Sequence, residues 1–253
     1  MLKPGSAVFF LDGRPEPTST PRCPAEVSPG RATTSVERVA GSRVHLVMKP
    51  LRVYLETGKR WTFAGALDWP GWCRRDRSEE AAINTLLEYA GRYSSAVGVA
   101  VPTGSVEIVG RVATRSGMAD FGAPGALGPW DNEPLSAREL GRHLGLLQAS
   151  WAYLDDVAGA SPPELRKGPR GGGRDRDAML RHVQEAERSY VPKVGCRVPP
   201  RTPWERQRVM ILDSLQAPPP DSAWPVRYTI RRMAWHILDH AWEMADRSTV
   251  PSR

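Results

Sequence analysis

The stretch Met233-Ala234-Trp235-His236-Ile237-Leu238-Asp239-His240-Ala241-Trp242-Glu243-Met244 decides the architecture of the C-terminal half of this chain. Ile230, Met233, Ile237, Ala241 and Met244 recur at the spacing of one helical face, and no proline interrupts them, so the pattern predicts a long amphipathic helix over residues 225–247. At about 100° per residue, His240 and His236 fall side by side at the border of that apolar stripe. The helix therefore carries two imidazoles along one edge of its core-facing side.

Three more helices precede it. Leu135-Ser136-Ala137-Arg138-Glu139 reads as a capping box, with Ser136 as N-cap, Glu139 reaching back and Leu135 placed to staple onto Leu140. The helix it opens runs to about Val157, with Leu140, Leu144, Leu147, Trp151 and Leu154 on one stripe. Asp175 or Asp177 opens a second, which buries Met179, Val183, Ala186 and Tyr190. Thr202-Pro203-Trp204-Glu205 predicts a capped third helix through Val209 and Leu212. Four amphipathic helices within residues 135–247 make an all-α four-helix bundle.

Residues 48–113 have a different grammar. Arg52–Glu56 and Arg60–Leu67 read as strands joined by Thr57-Gly58-Lys59, and Asp68-Trp69-Pro70-Gly71-Trp72 breaks the sheet. Ser78 caps a helix with Glu79 and Glu80 in its first turn and Leu86, Leu87, Tyr89 and Ala90 farther on. Two more strands are expected at Ala96–Val101 and Ser105–Val112. This is an α+β module; its aromatic residues Trp61, Phe63, Trp69 and Trp72 read as core and turn packing. Residues 114–134, rich in glycine and proline, read as a linker or covering loop, and 248–253 as a tail. Residues 1–47 are crowded with proline, serine, threonine and glycine and are expected to stay loose, either as a disordered arm or because the native start is Met48 and the preceding residues come from an over-long gene assignment.

Composition narrows the function classes. No run approaches the ~18 consecutive apolar residues of a membrane span, and Ala7–Leu11 is shorter than the ~7–15-residue core of a secretory signal, so a cytoplasmic protein without membrane contact is expected. Cys23, Cys73 and Cys196 are odd in number and lack CxxC spacing, which points to reduced structural thiols. The net charge of +7 is spread along the chain, and the densest basic run, Arg166 to Arg176, is broken by glycine and answered by Asp175 and Asp177. A nucleic-acid surface needs clustered, uncompensated charge, so nucleic acid is not the expected partner. The triple glycine in that run follows no strand and lacks Gly-Lys-Ser/Thr, so it is no Walker loop; it reads as the long connection between the first two bundle helices, whose arginines could also close over an anionic substrate.

The chemistry lies with histidine. His182 stands at the border of the second helix's apolar face, as His236 and His240 do on the last helix, and this is how a bundle offers three ligands to one cation. Glu185, Asp239 and Glu243 are the neighbouring carboxylates that could orient those imidazoles. His143 and His45 read as non-ligands. The spacings His182-x-x-Glu185 and His240-x-x-Glu243 also allow a dinuclear site, but the first and third helices bring no glutamates from within their apolar stripes, which favours a single ion.

On these residues the segment 135–247 resembles the DinB/YfiT-like superfamily of metal-binding four-helix bundles, in which one histidine on the second helix and a His/Glu-x-x-x-His pair on the last bind a divalent metal; His182, His236 and His240 fall at the matching positions. The resemblance implies a divalent cation such as Zn, Ni or Fe, a low-molecular-weight thiol as co-substrate, thiol-dependent S-transfer to a small electrophile, and a bundle that could form a homodimer. Separately, Asp68, Pro70 and Gly71 with the helix start Glu79-Glu80-Ala81 resemble the HicB-like antitoxin fold, which implies the alternative of a non-enzymatic regulatory binding protein. The expected fold is thus an α+β N-terminal module plus an all-α DinB-like four-helix bundle.

Overall fold

A computed structural model describes residues 49–102, 104–114, 117–168 and 172–248. The readings made for 1–47, Met48, Cys23, His45 and 249–253 lie outside the described residues.

The fold is mixed α/β, with four strands and six α-helices among the described residues. The strands are β1 (Leu51–Thr57), β2 (Thr62–Ala66), β3 (Cys73–Asp76) and β4 (Val106–Ala113), in the sheet order β3-β2-β1-β4. β1 pairs antiparallel with β2 and parallel with β4, and β2 pairs antiparallel with β3. β1 is covered on both faces, which is why it reads as a nearly continuous apolar run. Leu51, Val53 and Leu55 enter the core shared with α1 (Glu79–Glu88) and α2 (Ala90–Val97), while Tyr54 packs with Leu67 and Trp130 on the other side.

Two readings of this segment need correction. Residues 96–101 do not form a strand: Ala90, Tyr93, Ala96 and Val97 are buried at helical spacing, and Gly98 ends α2 in the left-handed conformation at φ 69°. The sheet also resumes after the Asp68–Trp72 break, as the short β3, whose Arg74 and Arg75 disguise it as a loop. The predicted cap holds, with the Ala81 amide donating to Ser78 Oγ at 3.2 Å. Gly71, at φ 93°, is required by proximity as well as by conformation, because a Cβ there would lie 2.8 Å from Leu238 of the last helix.

The second half contains α3 (Ala137–Ala160), α4 (Arg176–Tyr190), α5 (Trp204–Gln216) and α6 (Val226–Ser248), whose apolar faces share one core built on Leu147, Leu154, Met179, Ile211, Met233 and Ile237. The Ser136–Glu139 capping box is present, with the Ser136 amide donating to Glu139 Oε2 at 2.9 Å and the Glu139 amide to Ser136 Oγ at 3.3 Å. Thr202 does not cap α5; its hydroxyl donates to the Pro199 carbonyl, and Pro203 takes the N-cap position. The buried face of α5 is also turned from the expected one. Gln207, Ile211 and Leu215 point inward while Val209 is 44% exposed, because the Gln207 amide donates to the Gln184 carbonyl and to Glu187 of α4. On α4, Glu187 takes the inner place, held by the indole N–H groups of Trp151 and Trp204.

α6 runs through the middle. Its predicted stripe is fully buried, and so is its opposite face: Leu238 and Trp242 join the sheet-side core together with Leu146 of α3. Residues 117–134 act as a cover. Trp130 stacks on Tyr54 with ring centroids 5.4 Å apart, and Asp131 receives two hydrogen bonds from Arg231 of α6, both 2.7 Å. The described residues belong to one compact unit. None of the described helices is long and apolar enough to cross a membrane.

Candidate metal centre

Helix register brings the three histidines together. Met179, Val183 and Glu187 form the inner face of α4, so His182 projects from its flank toward α6. On α6, His236 and His240 lie one turn apart on the flank that meets α4. One nitrogen from each imidazole lies within 4.8 Å of the others. The Nε2 atoms of His182 and His236 are 3.2 Å apart, and ring centroids are separated by 5.0 Å from His182 to each partner and by 4.6 Å between His236 and His240. Two nitrogens each about 2.0–2.1 Å from one ion lie about 3 Å apart, so the His182–His236 spacing suits common ligation.

The surroundings of His236 and His182 favour the neutral imidazole, the form that ligates. Burial, followed by the neighbouring His240 and His182, pushes the pKa of His236 down to about 2. Burial and then the Arg174 charge lower that of His182. The Nδ1 of His240 is 3.2 Å from Glu243 Oε2, and the other Glu243 oxygen accepts from Arg247 at 2.7 Å. A donated Nδ1–H on His240 leaves its Nε2 lone pair free. Glu243 is kept ionised first by its bond to His240 and also by Arg247. The buried Nδ1 of His236 has no hydrogen-bond partner, and Tyr190 and Trp235 pack around that ring with centroids 6.1 and 6.0 Å away.

The three carboxylates named from sequence go to different places. Glu243 braces His240 as expected. Asp239 turns the other way, to Arg74 of β3 at 3.2 Å, so it orients neither histidine. Glu185 is exposed on α4 and acts on His182 only through its charge. His143 stands apart from the cluster, in a cavity of about 310 Å³ lined by Arg52, Asp68, Glu139 and Arg142. Sequence reasoning missed Arg247 as the brace of Glu243, and Arg174 and Arg232 as the cations whose charge reaches His236. The i,i+4 spacing of Glu243 and Arg247 was the available signal for the first.

No family model, characterised protein or solved structure matches this chain in sequence or fold comparison.

Proposed function

We propose that this protein binds one divalent cation, zinc, nickel or iron, through His182, His236 and His240, and that it is a DinB-like protein using the site for thiol-dependent transfer to a small electrophile. One observation carries the metal reading: three imidazoles from two helices present nitrogens within 4.8 Å of one another. The DinB-like assignment and its transfer chemistry rest on the resemblance of the helix order and of the histidine positions. A dication held by His182, His236 and His240 as neutral imidazoles would keep its full charge and would supply a thiolate at neutral pH by lowering the pKa of a bound thiol.

The chain's own residues have separable tasks. His236 is the buried, rigid ligand, held between Tyr190 and Trp235. Glu243 fixes the tautomer and plane of His240, and Arg247 keeps that carboxylate in place. Arg174 and Arg232 add positive potential, which suits an anionic thiol or electrophile. The engagement of Glu243 with His240 Nδ1 and Arg247 favours one ion over two.

Metal analysis of the purified chain, followed by calorimetric titration of the stripped protein with Zn²⁺ and Ni²⁺, tests the metal reading. One equivalent is expected, and it should be lost in His182→Ala, His236→Ala and His240→Ala while His143→Ala retains it. Equal binding in all four variants would remove these histidines as ligands. The transfer reading is then tested by metal-dependent loss of free thiol when the loaded protein meets a panel of small thiols and maleyl-type electrophiles. No turnover above that of the His240→Ala variant would leave a metal protein without this activity.

A further inference from the structure

The sheet has two unlike edges. β3 is four residues long and carries Arg74, Arg75 and Asp76, and the Arg75 guanidinium donates to the Gly122 carbonyl of the cover at 2.7 Å. A short, charged edge resists pairing with another strand. β4, at the opposite end, is eight residues long, with Val106, Ile108, Val109 and Val112 and no proline. Among the described residues no strand lies beyond it.

The register shows which groups this edge leaves open. The Leu51 amide donates to the Ser105 carbonyl at 2.8 Å, and the Thr114 amide donates to the Thr57 carbonyl at 2.9 Å, so Ser105 and Thr114 turn toward β1. Alternation along the strand, with the irregularity between Ile108 and Gly110, then leaves Val106, Ile108, Arg111 and Ala113 directing their N–H and C=O groups away from β1. Their side chains share a face with Leu51, Val53 and Leu55, yet Ile108 is 38% exposed because α1 and α2 cover the centre of the sheet and not this margin. Arg111 does not bar the edge, since Glu79 of α1 holds its guanidinium at 2.9–3.0 Å.

We propose that two copies of this chain pair β4 with β4, antiparallel about a two-fold axis between Val109 and Gly110, to make one continuous sheet. The open row advances by steps of two, three and two residues, and a second copy running the other way repeats those steps in the same order. Val106 then lies opposite the partner's Ala113, and Ile108 lies opposite the partner's Arg111, each pair closing with mutual N–H···O bonds. The stem of the partner's Arg111 covers the exposed Ile108. An edge that matches itself under a two-fold axis favours a second copy over an unrelated strand, and the closed character of β3 ends the assembly at two chains instead of a fibre. The interface lies on the sheet and requires nothing of the three histidines.

Sedimentation velocity of the full chain tests this. A contact built on one strand pair is small for a protein interface, so a monomer–dimer transition is expected between ~1 and ~100 µM. Ile108→Pro and Ala113→Pro each remove one outward N–H per chain and leave the bonds to β1 in place, and each should weaken dimerisation about tenfold or more with circular dichroism unchanged. Should these variants fail to fold, residue-resolved amide exchange of the parent decides. On passing from dilute to concentrated protein, exchange at Val106, Ile108, Arg111 and Ala113 should slow about tenfold or more relative to Glu107 and Val112, whose amides face β1. A chain that stays monomeric throughout, folded proline variants that dimerise as the parent does, or concentration-dependent protection that falls on the helices instead of β4 would each overturn the proposal.

Discussion

At the scale of single residues, the decisive feature of the histidine cluster is its unequal support. His240 has a carboxylate behind it and His236 has aromatic rings, so the two respond differently to substitution. Glu243→Gln removes the charge that orients His240, and metal affinity is expected to fall about 10–100-fold by calorimetry, with the fold intact by circular dichroism. His143 offers a pH prediction outside the cluster. Burial first, then the charges of Arg227 and Arg142 and against the pull of Glu139, depresses its pKa to about 4. A base whose folded pKa lies below its unfolded value of about 6.5 contributes nothing to the pH dependence above that value. Between about pH 6.5 and 4 the unfolded chain binds a proton that the folded chain refuses, so stability falls as pH falls, by up to about 3 kcal/mol in all. Chemical denaturation across that range should show a shallower acid loss in His143→Leu than in the parent. Parallel curves would mean that His143 takes up its proton as readily in the folded as in the unfolded chain.

At the scale of elements, α5 and α3 show where local rules win and where they yield. The capping box at Ser136 is complete, and Ser136→Ala should cost about 1 kcal/mol in equilibrium unfolding. For α5 the periodicity in the sequence allowed Val209 and Leu212 to face inward, but the helix turned to bring Gln207 to Glu187. Ile211→Ala is therefore expected to destabilise by about 2–5 kcal/mol while Val209→Ala stays within about 0.5 kcal/mol. The opposite ordering would restore the face read from sequence. α2 teaches the same lesson: the short apolar run Ala96 to Val101 has the length and composition of a strand, and only the packing of Ala96 and Val97 with Tyr93 and Ala90 shows the helical period.

At the scale of the whole molecule, the sheet and the helices share structure. Leu146, Leu238 and Trp242 pack in one cluster with Leu51, Val53 and Trp72, and the 117–134 cover is fastened to α6 by Asp131 and Arg231. Arg231 also donates to Tyr54 Oη at 2.9 Å and to the Ala126 carbonyl at 2.8 Å, so this one guanidinium joins strand, cover and helix. Asp131→Ala leaves that buried charge without its anion and should cost about 3–5 kcal/mol. Because the core is shared, the loss should appear as a single transition shifted to lower denaturant when sheet-rich and helix-rich signals are followed together.

What the sequence determined by itself was whatever repeats within a few residues. The α6 stripe, the Ser136 and Ser78 caps, the β1 run and the histidines at the edges of α4 and α6 all follow from spacing along one element, where backbone geometry converts sequence distance into spatial distance. Tertiary structure decided which of two permitted faces is buried, and what lies behind each polar group. Asp239 and Glu243 are both within a turn of His240, yet one turns to Arg74 on a strand and the other to the imidazole. Arg231 and Arg232 of α6 are buried because a segment 100 to 108 residues upstream folds over them, supplying Asp131 and the Pro124 carbonyl as acceptors. Such pairings span distances over which a sequence carries no period, so only the closed fold could assign them.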